Sequence, residues 1–144
     1  MRILAIDYGD SRIGVAVSDI LGIIASPVGT IKSVGMRGDV DQLSAKAKEL
    51  SAQLIVLGLP INMDGSEGER AEKTRKLGAV LSKVSGLPVE FVDERLTTVS
   101  AERVLDEAEM RWDKRKKVVD TISAQIILQT YLDKLKMQNS VQGV

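Results

Sequence analysis

The sequence has no cysteine and no histidine among its 144 residues, and these two absences bound its chemistry first. They exclude thiol nucleophiles, disulfides, Ser-His-Asp and Cys-His arrangements, and ordinary zinc sites. Any catalysis falls to carboxylates, lysines, hydroxyls or a hard metal ion held by oxygen, which points to magnesium or manganese. An excess charge of one sign is missing too: 20 basic residues balance 20 acidic ones, so binding to nucleic acid must come from local clusters. No apolar run approaches the length of a membrane span, and Asp7 interrupts Met1-Arg2-Ile3-Leu4-Ala5-Ile6 too soon for a signal peptide. A cytoplasmic protein without a membrane partner is expected.

Apolar residues at 44% and charged residues at 28% suit a single globular domain, expected over residues 1–137, with a frayed polar tail at 138–144. Three strands are expected at about 2–8, 12–19 and 23–31, joined by connections short enough for antiparallel hairpins. Asp39, with Gln42 as its capping-box partner, predicts a helix over about 40–51. Leu54-Ile55-Val56-Leu57-Gly58-Leu59 reads as a strand buried on both faces, whose neighbours are then parallel. Ser66 and Glu69 form a second capping box for a helix reaching Gly86, and Pro88 to Asp93 is the fifth strand. Further helices are expected over about 98–109 and 118–137. The order predicts an α/β fold: a mixed five-stranded sheet, three antiparallel strands then two parallel, with helices on both faces. Right-handed crossovers leave few topologies, of which a ribonuclease-H-like sheet is one.

Three places carry acids where apolar patterning does not call for them. Asp7 ends a strand that is apolar on both faces, where a charge is costly unless a cation or hydrogen bonds meet it; the plain alternative is a turn aspartate ahead of Gly9. Asp120 aligns with Ala124, Ile127 and Tyr131 on the inward face of the last helix, although the first-turn dipole also favours an acid there. The pair Asp93-Glu94 ends the fifth strand, and alternation allows at most one of the two to share a site with Asp7. Carboxylates converging from separate elements repel one another unless divalent metal holds them. Two such ions about 3.5 to 4 Å apart activate water and stabilise a leaving oxygen at a phosphodiester, with no histidine required.

Basic and polar residues surround these acids. Arg115, Lys116 and Lys117, with Lys114 and Arg111, precede Asp120, where they either hold a phosphate backbone or form a solvated face. Trp112 among them is a base-stacking candidate or a packing anchor. Arg95 either orients a phosphate or pairs with Glu94. The loop from Gly58 to Gly68, with Asn62, Asp64 and Ser66, is a polar lip at the carboxyl end of a buried strand, where ligands commonly bind; it lacks the lysine of a P-loop. Arg12, Asn62, Arg95, Arg115, Lys116 and Lys117 are the candidate nucleic-acid contacts.

Four segments then carry a resemblance: Asp7-Tyr8-Gly9-Asp10-Ser11-Arg12-Ile13-Gly14-Val15-Ala16, Gly58-Leu59-Pro60-Ile61-Asn62-Met63-Asp64-Gly65, Asp93-Glu94-Arg95-Leu96-Thr97-Thr98 and Lys117-Val118-Val119-Asp120. In this order they resemble the YqgF family, known both as Holliday junction resolvases and as pre-16S ribosomal RNA nucleases, over about residues 1–137. The resemblance implies a ribonuclease-H-like fold and a metal-dependent nuclease processing the 5′ end of the pre-16S ribosomal RNA. It carries over Asp7, Glu94 and Asp120 as the catalytic, metal-binding triad, and it is the family pattern that favours Glu94 over Asp93. The expected cofactor is Mg2+ or Mn2+, two ions. The expected partner is pre-16S RNA, free or on the ribosome, with branched DNA as the alternative substrate. A monomer or a homodimer is expected; a Holliday junction has two-fold symmetry, so a resolvase should act as a dimer with paired sites. Two competing readings are a non-catalytic RNA- or ribosome-binding module and an actin-like ATPase corner, the latter disfavoured by a length that leaves no room for a second lobe.

Overall fold

The computed structural model describes residues 1–97 and 119–142, with side chains of the last helix described from 122 to 138. Five strands, β1 (Ile3–Tyr8), β2 (Arg12–Ser18), β3 (Ala25–Lys32), β4 (Leu54–Leu59) and β5 (Val89–Asp93), form one sheet in the order β3-β2-β1-β4-β5. β1, β2 and β3 pair antiparallel, and β4 pairs parallel with both β1 and β5. Among the described residues the helices are α1 (Met36–Glu49), α2 (Glu69–Ser85) and α3 (Val119–Gln142), and a 3-10 turn (Glu94–Leu96) follows β5. This is the expected mixed sheet.

Alternation along β1 divides the core. Leu4, Ile6 and Tyr8 face α1 and α2, where they pack with Val40, Leu43, Leu77 and Leu81. Ile3 and Ala5 face the other way, packing with Ala16, Ala25 and the α3 residues Ala124, Ile127, Leu128 and Leu132. Small residues on that face let α3 lie close to the sheet. β4 is buried along its whole length, as its unbroken apolar run requires.

Three expectations about element starts are corrected. Asp39 is not a helix cap: α1 begins at Met36 after Gly35, and the Asp39 carboxylate is fully buried, accepting hydrogen bonds from Tyr8 Oη (3.0 Å), Ser33 Oγ (2.6 Å) and the Val34 amide (2.8 Å). Its role is to tie β1 and the β3–α1 loop together. Ser66 does not cap α2, which starts at Glu69 after Gly68; Asp64 takes the Ser66 amide (2.9 Å) and hydroxyl instead. Ile23 and Ile24 precede β3, because Asp19 accepts both their amides (2.7 and 2.9 Å) and holds them in the hairpin turn, where they are exposed. The backbone of α3 runs to Gln142, past the expected end at 137.

The expected helix over 98–109, Trp112, and the basic run with Arg111, Lys114, Arg115, Lys116 and Lys117 lie outside the described residues, as does the Asp120 side chain. Among the described residues no helix is long and apolar enough to cross a membrane.

Candidate active site

Because β1, β4 and β5 are parallel, their carboxyl ends share one edge of the sheet, the edge at which open α/β sheets bind ligands. Asp7 stands there as the penultimate residue of β1, continuing the face of Ile3 and Ala5 toward α3. Glu94 opens the 3-10 turn directly after β5. The two line an open cleft of about 350 Å³ with Arg70, Thr97, Ser123, Ile126 and Ile127. Sheet topology therefore brings together two acids that are 87 positions apart in sequence (94 − 7).

The electrostatics of this pair are unfavourable by themselves. Burial holds the Glu94 carboxyl above its ordinary range, the neighbouring charge of Asp7 adds to that, and Arg70 opposes it. An acid half-buried beside another acid calls for positive charge. Arg70, in the first turn of α2, is the cation that lines the cleft among the described residues. Thr97 donates its hydroxyl to the Glu94 carbonyl (2.7 Å), which closes the turn that presents the carboxylate.

Gly58 of β4 makes room for this arrangement. A β-carbon there would come within 2.8 Å of Glu94 Oε1 and closer still to Ile127 Cδ1. The glycine in an otherwise aliphatic strand thus serves close approach by α3 and by Glu94.

Asp93 takes a different part. It caps the 3-10 turn by accepting the Arg95 amide (2.9 Å) and pairs with the Arg95 guanidinium (2.7 Å to Nη2). Hydrogen bonds from Arg95 hold its carboxyl below the usual range. Arg95 therefore pairs with Asp93 and not with Glu94, and it does not line the cleft. Asn62 is exposed on the loop after β4, donating to Ser66 Oγ (3.1 Å). Arg12 is exposed at the start of β2, on the same edge of the sheet as Asp7. Position 120 lies one helical turn before Ser123 on α3.

The donor set is oxygen only: carboxylates of Asp7 and Glu94, with hydroxyls of Thr97 and Ser123 beside them. It fits a hard divalent cation rather than a soft one. Among the described residues no group of three or more metal-ligating side chains gathers.

Arg70 is the residue that sequence reasoning missed. One signal was present: a basic side chain in a helix's first turn runs against the helix dipole, and this helix follows a strand whose carboxyl end carries the polar loop.

Comparison with known proteins gives a consistent picture. A family model, RuvX, described as Holliday junction resolvase, matches residues 1–134. A protein of Clostridioides difficile named "Putative pre-16S rRNA nuclease" is 51% identical over 132 residues, covering 92% of this chain and 94% of that protein. One of the same name from Endomicrobium trichonymphae is 48% identical over 133 residues, covering 92% and 95%. Among solved structures, Thermus thermophilus RuvC in complex with a Holliday junction substrate superposes with a TM-score of 0.63 at 16% identity, covering 95% of this chain and 96% of that one. The fowlpox virus Holliday junction resolvase gives 0.59 at 13% identity, covering 94% and 99%. At such identities the likeness is one of fold, the ribonuclease-H-like sheet of these resolvases.

Proposed function

This chain belongs to the RuvX (YqgF) family, and from that premise we propose that it is a cytoplasmic nuclease whose Asp7–Glu94 cleft hydrolyses phosphodiester bonds in the 5′ region of pre-16S ribosomal RNA. The observation that carries this reading is the cleft itself. Two acids, one in β1 and one in the turn after the parallel strand β5, meet where the charge of one disfavours ionisation of the other, with Arg70 beside them.

Asp7, Glu94 and, from the family pattern, Asp120 are the residues that would hold Mg2+ or Mn2+, two ions in the full site. Such ions, when bound, activate a water and neutralise charge on the phosphate. The protein's own groups do the positioning. Arg70 offers a guanidinium fork to a phosphate oxygen, a geometry that suits phosphate bidentately. Glu94 is aimed by its turn, held by Thr97, and by the space left at Gly58. Ile126 and Ile127 form an apolar wall that limits water on the α3 side of the cleft.

Cleavage of a precursor RNA by chelator-treated protein tests the reading. Activity is expected only after magnesium or manganese is restored, and Asp7→Asn is expected to abolish it while the circular dichroism spectrum and melting temperature stay native. Undiminished cutting by that variant would place the activity elsewhere. A second reading, cleavage of branched DNA, is favoured by the family's description as resolvases; a two-fold symmetric junction calls for a homodimer with paired sites.

A further inference from the structure

β2 and β3 pair antiparallel with Arg12 directly opposite Lys32. Asp7 is opposite Gly14, and Gly14 is opposite Thr30. Alternation puts Arg12 and Gly14 on the face of Ala16, the α3 face that also carries Asp7, and Lys32 shares it as the partner of Arg12. Two cations thus face one another across neighbouring strands, two residues beyond Asp7's partner and at the same edge of the sheet.

Like charges opposed in this way destabilise a sheet. Both side chains are exposed, and neither has a carboxylate within ion-pair distance among the described residues, where the pairs are Lys46–Glu49, Lys73–Asp10, Arg75–Glu67 and Arg95–Asp93. A repulsive pair without counter-charge among the described residues is matched to an anion from outside. Its position limits which anion. Position 12 is about 7 Å along the strand from Gly14 and one strand, about 5 Å, across from β1. That is close enough for both long side chains to reach a phosphate neighbouring one held at Asp7. Arg70 supplies the cation on the other flank, in the first turn of α2 beside Glu94.

We infer that Arg12 and Lys32 form a phosphate clamp that grips the nucleic-acid backbone next to the scissile bond, so that the substrate crosses the sheet edge from β3 toward α2. The inference rests on the nuclease reading for its choice of ligand. The clamp reads charge and spacing, not bases, and its contribution is independent of sequence.

The test measures affinity against salt for a fluorescent pre-16S 5′ RNA oligonucleotide and for a four-way DNA junction, with wild type, Lys32→Glu and Lys83→Glu. Lys83, in the last turn of α2, is a charge-matched control. Lys32→Glu is expected to weaken binding about tenfold and to flatten the salt dependence by one to two units of slope. It is also expected to raise the melting temperature by about 1–4 °C, because an attraction to Arg12 replaces a repulsion. Lys83→Glu is expected to leave the slope at its wild-type value. Lys32→Thr, which removes the repulsion without adding an acid, is expected to fall between. Loss of affinity in either substrate arm supports the clamp and names its ligand. Affinity within twofold of wild type in both arms, or a loss accompanied by a lowered melting temperature, overturns it. If wild type binds RNA but cuts nothing, the nuclease reading fails while the binding comparison still decides the clamp. If Lys32→Glu cuts with unchanged KM and kcat, the clamp fails while the nuclease reading stands.

Discussion

Glu94 Oε1 lies 2.8 Å from the point where a β-carbon on Gly58 would stand. The glycine is in β4 and the acid opens the turn that follows β5, the parallel neighbour of β4, so the carboxylate occupies space that a side chain at position 58 would fill. Gly58→Ala is therefore expected to push both Glu94 and Ile127 aside. Overpacking of this kind costs about 1–3 kcal/mol, measurable by urea unfolding, and cleavage should fall by about tenfold or more because a misplaced catalytic group is poorly tolerated.

Glu94 and Asp93 are neighbours in sequence with opposite assignments. Glu94 lines the cleft with Asp7, and Asp93 is spent on Arg95. Glu94→Gln is expected to lower kcat by about a hundredfold or more, and Asp93→Asn by less than tenfold, under the same metal concentration. Equal losses in single-turnover assays would mean that the two acids share the work.

Arg70 separates binding from chemistry. If it holds a phosphate oxygen in ground state and transition state alike, Arg70→Ala should raise KM with little change in kcat; a fall in kcat at constant KM would place its contact in the transition state alone. Steady-state cleavage as a function of RNA concentration distinguishes these outcomes. Lysine should rescue only partly, since it lacks the planar fork.

Tyr8 and Asp39 offer a check on the fold that leaves the acids untouched. Burial, and then the hydrogen bond to Asp39, push the Tyr8 hydroxyl up to about 12 from an ordinary 10.0. Because the folded value lies above the unfolded one, the stability linked to Tyr8 is fully present below pH 10 and is lost as pH rises through 12. Tyr8→Phe, which leaves a buried acceptor with one donor fewer, should cost about 1–3 kcal/mol at pH 8. The gap between wild type and variant in denaturant unfolding should close between pH 10 and 12.

Strands were legible in the sequence because their signals are local. The short apolar runs at Ile3–Tyr8 and Leu54–Leu59, bounded by turn residues, are buried as strands. Helix starts were less so, since Asp39 and Ser66 each found partners other than their own helix amides: Tyr8, brought to Asp39 by folding, and Asp64, which turns the loop two residues before Ser66. At the site, Asp7 was visible as a charge in an apolar strand, and the choice of Glu94 over Asp93 needed the family pattern because adjacency alone does not say which acid turns inward. Arg70 and Lys32 were hidden for a further reason. Their meaning depends on the crossover that lays α2 beside β5 and on the β2–β3 register, with its irregularity between Val15 and Ala16, neither of which is written in local spacing.

One measurement bears on the central claim most directly: side-by-side cleavage of a pre-16S ribosomal RNA fragment and a four-way DNA junction by wild type and Asp7→Asn, each with and without magnesium. The account predicts magnesium-dependent cutting of the RNA by wild type, none by Asp7→Asn, and weaker or no cutting of the junction. Metal-independent cutting, or RNA cleavage that survives Asp7→Asn, would contradict it.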